Sequence, residues 1–283
     1  METWDGMVVR SGEFRPASSL DGDQDAILSH LERSTPVRLM ATIGTFTAAD
    51  AAELVVEAVS RADQHRFDYL PVRDGAEGPV VGLFARKGVA PDGAARVRDV
   101  MQPLSSANLI AIDTSLLQFV LSADTIPCRL ILDDTEIRGL VTLSDIQRLP
   151  VRTALFSLFI HLELLLTQAL RKEIGPDRSP FDLLSGKRAE DARERWETFK
   201  ASGLDHDPYS ALMFADKKTI ARKLKLGGLS GERIDTELNS IEVKLRNPIA
   251  HGADYARTEA AALEIVRVAR LVKTWIDDLR KAL

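Results

Sequence analysis

Apolar residues change their spacing partway along this chain of 283 residues. Before Leu149 they come in short runs broken by glycine, proline and acidic residues; after it they fall three and four apart over long stretches. Ala51, Leu54, Val55, Ala58 and Val59 share one helical face, which predicts a helix over 48–62. Segments 69–72 and 80–84 then read as two strands around a Gly-rich turn. The same order returns downstream: a short strand over 109–112, a helix over 115–122, a strand over 129–132, a turn at Asp133 and Asp134, and a strand over 137–143 that runs into Asp145. A repeat of about 60 residues implies a pseudo-symmetric pair of units. Residues 1–24 show little periodicity, and an arm is expected over 1–34, with structure setting in from about Asp25.

The second half is helical. Leu155, Leu158, Phe159, Leu162, Leu165 and Ala169 form one stripe of a helix predicted over 152–174, and Phe156, Ile160 and Leu164 make it apolar on other faces. Such a helix must be covered on several sides, by the rest of the bundle and by either a second subunit or the N-terminal half. Gly175 and Pro176 stop it. A polar, exposed helix is expected over 188–202, and Pro208 is expected to open the next one, where Met213, Phe214, Ile220, Ala221 and Leu224 are helically spaced. Ser230 is a plausible N-cap for a helix whose face is Ile234, Leu238, Ile241 and Leu245. The last helix, over 258–282, buries Ile265, Val268, Val272, Trp275, Ile276 and Leu279. Four main helices with short connections predict an up-and-down bundle after a boundary at Leu149 and Pro150.

Composition adds little beyond a globular chain, but charge is unevenly shared. Residues 1–150 carry 14 Lys and Arg against 22 Asp and Glu, and residues 151–283 carry 23 against 20, within a net charge of -5. A polyanionic partner therefore suits the second half better than the first. Lys218, Arg222 and Lys225 fall on one helical face there, which could track an RNA backbone, although a solvated surface is the commoner role of such a face. The single cysteine, Cys128, excludes an intrachain disulfide and fits a reducing compartment, so a cytoplasmic location is expected. The first residues are acidic with no apolar segment, and the most apolar stretch is interrupted by His161, Glu163, Thr167 and Gln168, so no membrane association is expected.

Chemistry concentrates at Leu245-Arg246-Asn247-Pro248-Ile249-Ala250-His251-Gly252. Pro248 is expected to end the helix from Ser230 and to push Asn247 out of the α region, leaving Arg246 at a helix C-terminus and His251 just past the exit. A guanidinium forks onto phosphate, and an imidazole can carry protons near neutrality. The same residues would also serve as an ordinary polar helix exit. The other histidines, His30, His65, His161 and His206, have no such context and are expected to be structural or solvated.

Two resemblances follow. Leu70-Pro71-Val72, Gly82-Leu83-Phe84, Val97-Arg98-Asp99-Val100-Met101 and Gly139-Leu140-Val141-Thr142-Leu143-Ser144-Asp145-Ile146 resemble a CBS domain pair (Bateman module) over 35–150. That resemblance implies an adenine nucleotide (AMP, ADP, ATP or a relative) as regulatory ligand, with Thr142 and the following turn's amides suited to phosphate and Asp145 to ribose hydroxyls. Aligning Gly82 with Gly139 puts Ala85 and Gly88 where Thr142 and Asp145 stand, so the first copy lacks both side chains; Arg86 and Lys87 lie nearby. Thr142 and Asp145 are also what a plain strand end and helix N-cap require.

The 245–252 segment resembles the RNxxxH signature of HEPN domains, with the resemblance covering 151–283. The fold class expected is thus an α+β tandem CBS pair followed by an all-α HEPN-like bundle. Active HEPN members are metal-independent ribonucleases with a composite cleft at a homodimer interface. This implies His251 as acid or base, Arg246 on the pentavalent phosphate, Asn247 orienting the site, single-stranded RNA as substrate, no metal, no cofactor for catalysis and no DNA. A tyrosine, Tyr255, lies four residues beyond His251, farther than in HEPN members partnered with nucleotidyltransferases, so that role is not transferred. The alternative is a non-catalytic regulator or scaffold that binds ligand through the CBS pair and dimerises through the bundle.

Overall fold

The computed structural model describes residues 21–87, 94–202, 207–250 and 255–283. The N-terminal half comprises α1 (Asp21–Ser34), β1 (Thr42–Ile43), β2 (Ala49–Asp50), α2 (Val55–His65), β3 (Tyr69–Arg73), β4 (Val80–Ala85), α3 (Val97–Val100), β5 (Gln102–Pro103), β6 (Leu109–Ala111), α4 (Leu116–Val120), β7 (Cys128–Asp133) and β8 (Glu136–Thr142). The helical half follows as α5 (Leu149–Ile174), α6 (Lys187–Ala201), α7 (Phe214–Leu224), α8 (Gly231–Ile241), α9 (Asn247–Ala250) and α10 (Glu259–Ala282).

The repeat is visible strand for strand. One sheet has the order β2-β3-β4-β5 and the other, read in the same sense, β6-β7-β8-β1. In each, a parallel pair leads into an antiparallel hairpin and then a short antiparallel edge strand. The edge strand of the second sheet, β1, comes from before the first copy. Gly82 and Gly139 mark equivalent crossings, Gly82 opposite Pro103 and Gly139 opposite Ile43. A Cβ on Gly139 would stand 2.1 Å from the Thr42 carbonyl oxygen, and one on Gly82 would stand 2.7 Å from that of Gln102, so both positions need glycine.

One expected helix starts later than its periodicity suggests. Ala49 and Asp50 pair in parallel with Val72 and Arg73, and α2 begins only at Val55. The Asp50 carboxylate accepts from the Ala52 N–H at 2.7 Å and turns the chain between the two elements. Buried Ala49 and Ala51 fit a strand's alternation as well as a helical face, which is why the pattern misleads there.

The hydrophobic core does not stop at residue 150. Ile131, Val141 and Ile146 of the second copy belong to one buried cluster with Leu158, Leu238 and Val272 of the helical half. The first copy has a smaller core of its own around Leu70, Val72 and Phe84, and Val80, Leu83, Cys128 and Leu130 join the two sheets. Helices α5, α7, α8 and α10 pack on one another, with α5 also in contact with α1 and α4.

Helix α5 begins at Leu149 rather than 152, because Pro150 falls in its first turn, where a missing N–H leaves nothing unsatisfied. It is long and apolar enough to cross a membrane by length and composition, and half of its most apolar window is buried within the protein. Residues 21–34 of the expected arm form α1, docked on α5. His161, fully buried, lies between two α1 carboxylates: Nε2 is 2.6 Å from Asp25 Oδ1, and Nδ1 meets Glu32 Oε1. Arg280 of α10 joins them, 2.9 Å from Asp25. Burial pushes the Asp25 carboxyl up, but hydrogen bonds from His161 and Arg280 outweigh it and hold the group below its ordinary range. His30 and His65 are exposed, and His206 lies outside the described residues.

Three further expectations in the helical half are corrected. Pro208 opens a 3-10 turn, Pro208–Ala211, whose N–H groups at Tyr209 and Ser210 are capped by Asp207; α7 starts at Phe214. Helix α6 is anchored rather than wholly exposed, through buried Ala189 and Ala192. Pro248 does not end the helix that starts at Ser230. Instead a π-helical turn, Glu242–Arg246, carries the chain on into α9, and Asn247 stays in the α region at φ −66°, ψ −48°. The Asn247 N–H donates to the Glu242 carbonyl, five residues back. That wider turn gives room for the pyrrolidine ring, which in a regular helix clashes with the carbonyl four residues earlier.

Candidate functional site

At the end of β8 the chain tightens into a 3-10 turn, Leu143–Gln147, started by a capping box between Thr142 and Asp145. The Asp145 carboxylate accepts from the Thr142 N–H at 2.7 Å and from the Thr142 hydroxyl at 3.0 Å. Its other oxygen lies 2.8 Å from Arg148 Nε. The side chain is buried, and burial pushes its carboxyl above the ordinary range against the opposing pull of those partners. The structure therefore brings the two expected ligand residues together, with Thr142 at the cap and Asp145 third in the turn and bonded back to it, whereas the other expected reading made Asp145 itself the N-cap.

They stand on the wall of a cleft of about 550 Å³ between the two repeats. Thr142 and Asp145 line it from the second copy, Phe67 and Tyr69 from the first, and Thr258 and Glu259 from the start of α10. Burial pushes the Tyr69 phenol up to about 12, so it is a neutral hydrogen-bonding group at ordinary pH. His65 stacks on Phe67 with ring centroids 5.4 Å apart, giving the first-copy side an aromatic edge. The two cations expected near the first-copy site are engaged: Arg86 pairs with Asp63 at 2.5 Å and Asp68 at 3.0 Å, and Lys87 with Glu259 at 2.6 Å. Gly88, aligned with Asp145, lies outside the described residues.

The α10 wall was not foreseen. The only local signal for it is Thr258, whose hydroxyl oxygen accepts from the Ala261 N–H and caps that helix. Tyr255, buried three residues before it, donates its hydroxyl to the Ile146 carbonyl at 2.7 Å, linking the segment that leads into α10 to the turn that carries Asp145.

Arg246 and Asn247 lie at the junction of the π-helical turn and α9, where Arg246 Nη1 donates to Asn247 Oδ1 at 2.9 Å. His251 lies outside the described residues. Salt bridges tie this turn to its neighbours: Glu242 to Lys218 of α7 at 3.0 Å, and Lys244 to Glu264 of α10 at 2.5 Å. Lys218 also donates to Asn239 at 3.1 Å, so it holds helices together instead of standing on an open basic face.

Hydrogen bonds from Arg267 and Lys244 hold the Glu264 carboxyl down at about 2. A depressed acid contributes stability above its unfolded value of 4.5 and loses it as pH falls toward about 2. Glu264→Gln is therefore expected to lower stability at neutral pH, to leave it nearly unchanged near pH 2 and so to flatten the slope over that window, as chemical denaturation across pH will show.

The fold and cleft define a paired α+β repeat joined through one core to a helical half. No protein-family model matches the chain, and no curated protein matches it. Solved structures with partial likeness include the CBS domain of the bacterial CNNM/CorC family Mg2+ transporter in complex with ATP, at 18% identity and a TM-score of 0.35, covering 45% of this chain and 94% of that one. A hemolysin-like protein containing CBS domain of Oenococcus oeni PSU matches at 14% identity and a TM-score of 0.35, covering 44% and 93%. An uncharacterized conserved protein from Pyrococcus horikoshii matches at 24% identity and a TM-score of 0.33, covering 40% and 89%.

Proposed function

We propose that this chain is an adenine-nucleotide-sensing, metal-independent endoribonuclease: a CBS pair over 35–150 that binds the nucleotide, and a HEPN-like bundle over 151–283 that cuts single-stranded RNA as a homodimer. One observation carries the sensing half. Thr142 and Asp145 lie on the wall of a cleft of about 550 Å³ between two pseudo-symmetric repeats, within the range that small-molecule sites occupy. Ribose hydroxyls can donate to Asp145 in place of Thr142.

The catalytic half rests on Arg246 and Asn247, adjacent on one turn, and on His251 four residues beyond Asn247 in sequence. His251 would move a proton at the 2′-hydroxyl or the leaving oxygen, Arg246 would stabilise the pentavalent phosphate, and Asn247 would orient the guanidinium it already accepts from. Phe156 and Ile160 of α5, each 41% exposed, and Ile27 and Leu31 of α1 present apolar surface suited to the second copy.

Calorimetric titration with AMP and ATP tests the sensor. Binding by the wild type, weakened about tenfold or more by Asp145→Ala, is expected, since hydrogen bonds to a charged group contribute about 1.5–3 kcal/mol. No binding, or binding that Asp145→Ala leaves unchanged, removes the sensing role. The second reading is a non-catalytic regulator or scaffold that binds ligand through the CBS pair and dimerises through the bundle. RNA left intact at high protein concentration, with and without nucleotide, decides for the scaffold.

A further inference from the structure

The stretch from Thr142 to Arg152 is bonded to α9, the helix that follows Arg246, as well as lining the cleft. It begins with the Thr142–Asp145 box on the cleft wall, continues through the 3-10 turn and enters α5. Two side-chain bonds tie it to the chain on either side of residues 251–254, one to Tyr255 before α10 and one to Ile249 of α9. The Tyr255 hydroxyl donates to the Ile146 carbonyl at 2.7 Å, one residue past Asp145. Arg152 Nε donates to the Ile249 carbonyl at 2.8 Å, three residues past Arg246.

The Tyr255 bond is buried and the Arg152 bond partly so. Ile146 is fully buried, Ile249 is 4% exposed and Tyr255 is 8% exposed, all within the one core shared by the second repeat and the helical half. Burial pushes the Tyr255 phenol well above its ordinary range, so it stays a neutral donor. Tyr255 also immediately precedes Ala256, Arg257, Thr258 and Glu259, which line the cleft. A buried hydrogen bond that loses its partner leaves an unsatisfied group, so a shift of the Ile146 carbonyl is opposed unless Tyr255 follows it.

We infer that the Tyr255–Ile146 and Arg152–Ile249 bonds form a relay by which ligand in the repeat cleft changes the setting of the Arg246 turn. The relay rests on the nucleotide reading of Thr142 and Asp145. In the state described, Asp145 is bonded to Thr142 and Arg148, so a ligand hydroxyl that takes its carboxylate opens the capping box and loosens the 3-10 turn. The Ile146 carbonyl and the first turn of α5 then move together, and Tyr255 and Arg152 carry the change to α9 and the start of α10. Tyr255 and Arg152 act here as positioning residues; neither is asked to touch RNA.

Hydrogen exchange of the full chain, read by mass spectrometry with and without saturating ATP, tests this on the peptide from Lys244 to Ile249. ATP is expected to change exchange there about fivefold or more in the wild type. Tyr255→Phe, which removes one hydroxyl, is expected to reduce the response to about half, and Tyr255→Phe with Arg152→Met to abolish it, while calorimetry shows ATP affinity within about threefold of wild type for both. Thermal melts of both variants establish that they are folded. ATP binding with no change at Lys244 to Ile249, or an undiminished response in the double variant, overturns the relay and leaves the nucleotide site standing. Absence of ATP binding by the wild type overturns the nucleotide site, and the relay with it.

Discussion

Replacing His161 with alanine is expected to destabilise the chain by about 3–5 kcal/mol, since it opens a void at a fully buried ring and strips a buried carboxylate of its hydrogen-bond partner. The imidazole is fully buried, and each ring nitrogen faces a carboxylate of α1, Asp25 at 2.6 Å and Glu32. Truncation leaves the Glu32 carboxylate, only 10% exposed, facing a void, with Lys273 no nearer than 3.8 Å. Arg280 continues to hold Asp25, so the loss falls on Glu32 and on the packing of α1 against α5. Melting temperature should drop by about 10 °C, given roughly 2–4 °C per kcal/mol for a chain of this class. A change below about 1 kcal/mol would mean that α1 contributes little through this cluster. The Asp25 contribution, from a depressed carboxyl, is present above its unfolded value of 3.8 and fades as pH falls below it, so the acid limb should steepen with His161 in place and less so without it.

The second large effect concerns RNA. Cleavage of single-stranded RNA in the presence of a chelator is expected to fall about 10²–10⁴-fold in His251→Ala, the range for a positioned general acid or base. In Arg246→Ala the expected fall is about 10²–10³-fold, as for loss of a group that stabilises developing charge. Asn247→Ala should do less, because it acts through the guanidinium it orients at 2.9 Å. Rates for His251→Ala equal to wild type would sink the ribonuclease reading outright. Melting curves kept beside the rates separate lost chemistry from lost structure, since Arg246 and Asn247 are only half-buried and their truncation leaves the buried Leu245 and Ile249 in place.

Much of the fold was legible. Strand spacing around Leu70-Pro71-Val72 and Gly139-Leu140-Val141 appears as two hairpins in matching registers. Ser230 caps α8 through the Arg233 N–H, and Ile234, Leu238, Ile241 and Leu245 are all fully buried, as their spacing predicts. The pairing of Thr142 with Asp145 three residues on was also readable, because a capping box is a local device.

Other features had no local signature. Pro248 reads as a helix stop in any sequence window, and it is accommodated only because the preceding turn widens to a π geometry braced by Lys218–Glu242 and Lys244–Glu264, bonds to two other helices. Lys218 looked like part of a basic face until Glu242 came to lie beside it.

The sequence by itself determined the repeat, the helical periods, the caps and the residue types of both candidate sites, since these depend on neighbours within a turn or a hairpin. Tertiary structure alone decided that α10 walls the cleft, that His161 rather than an exposed histidine sits among carboxylates, and that Tyr255 reaches Ile146 across 109 residues. Such contacts follow from how two halves share one core, and burial, which makes a distant hydrogen bond costly to lose, is a property of the assembled chain and not of any segment of it.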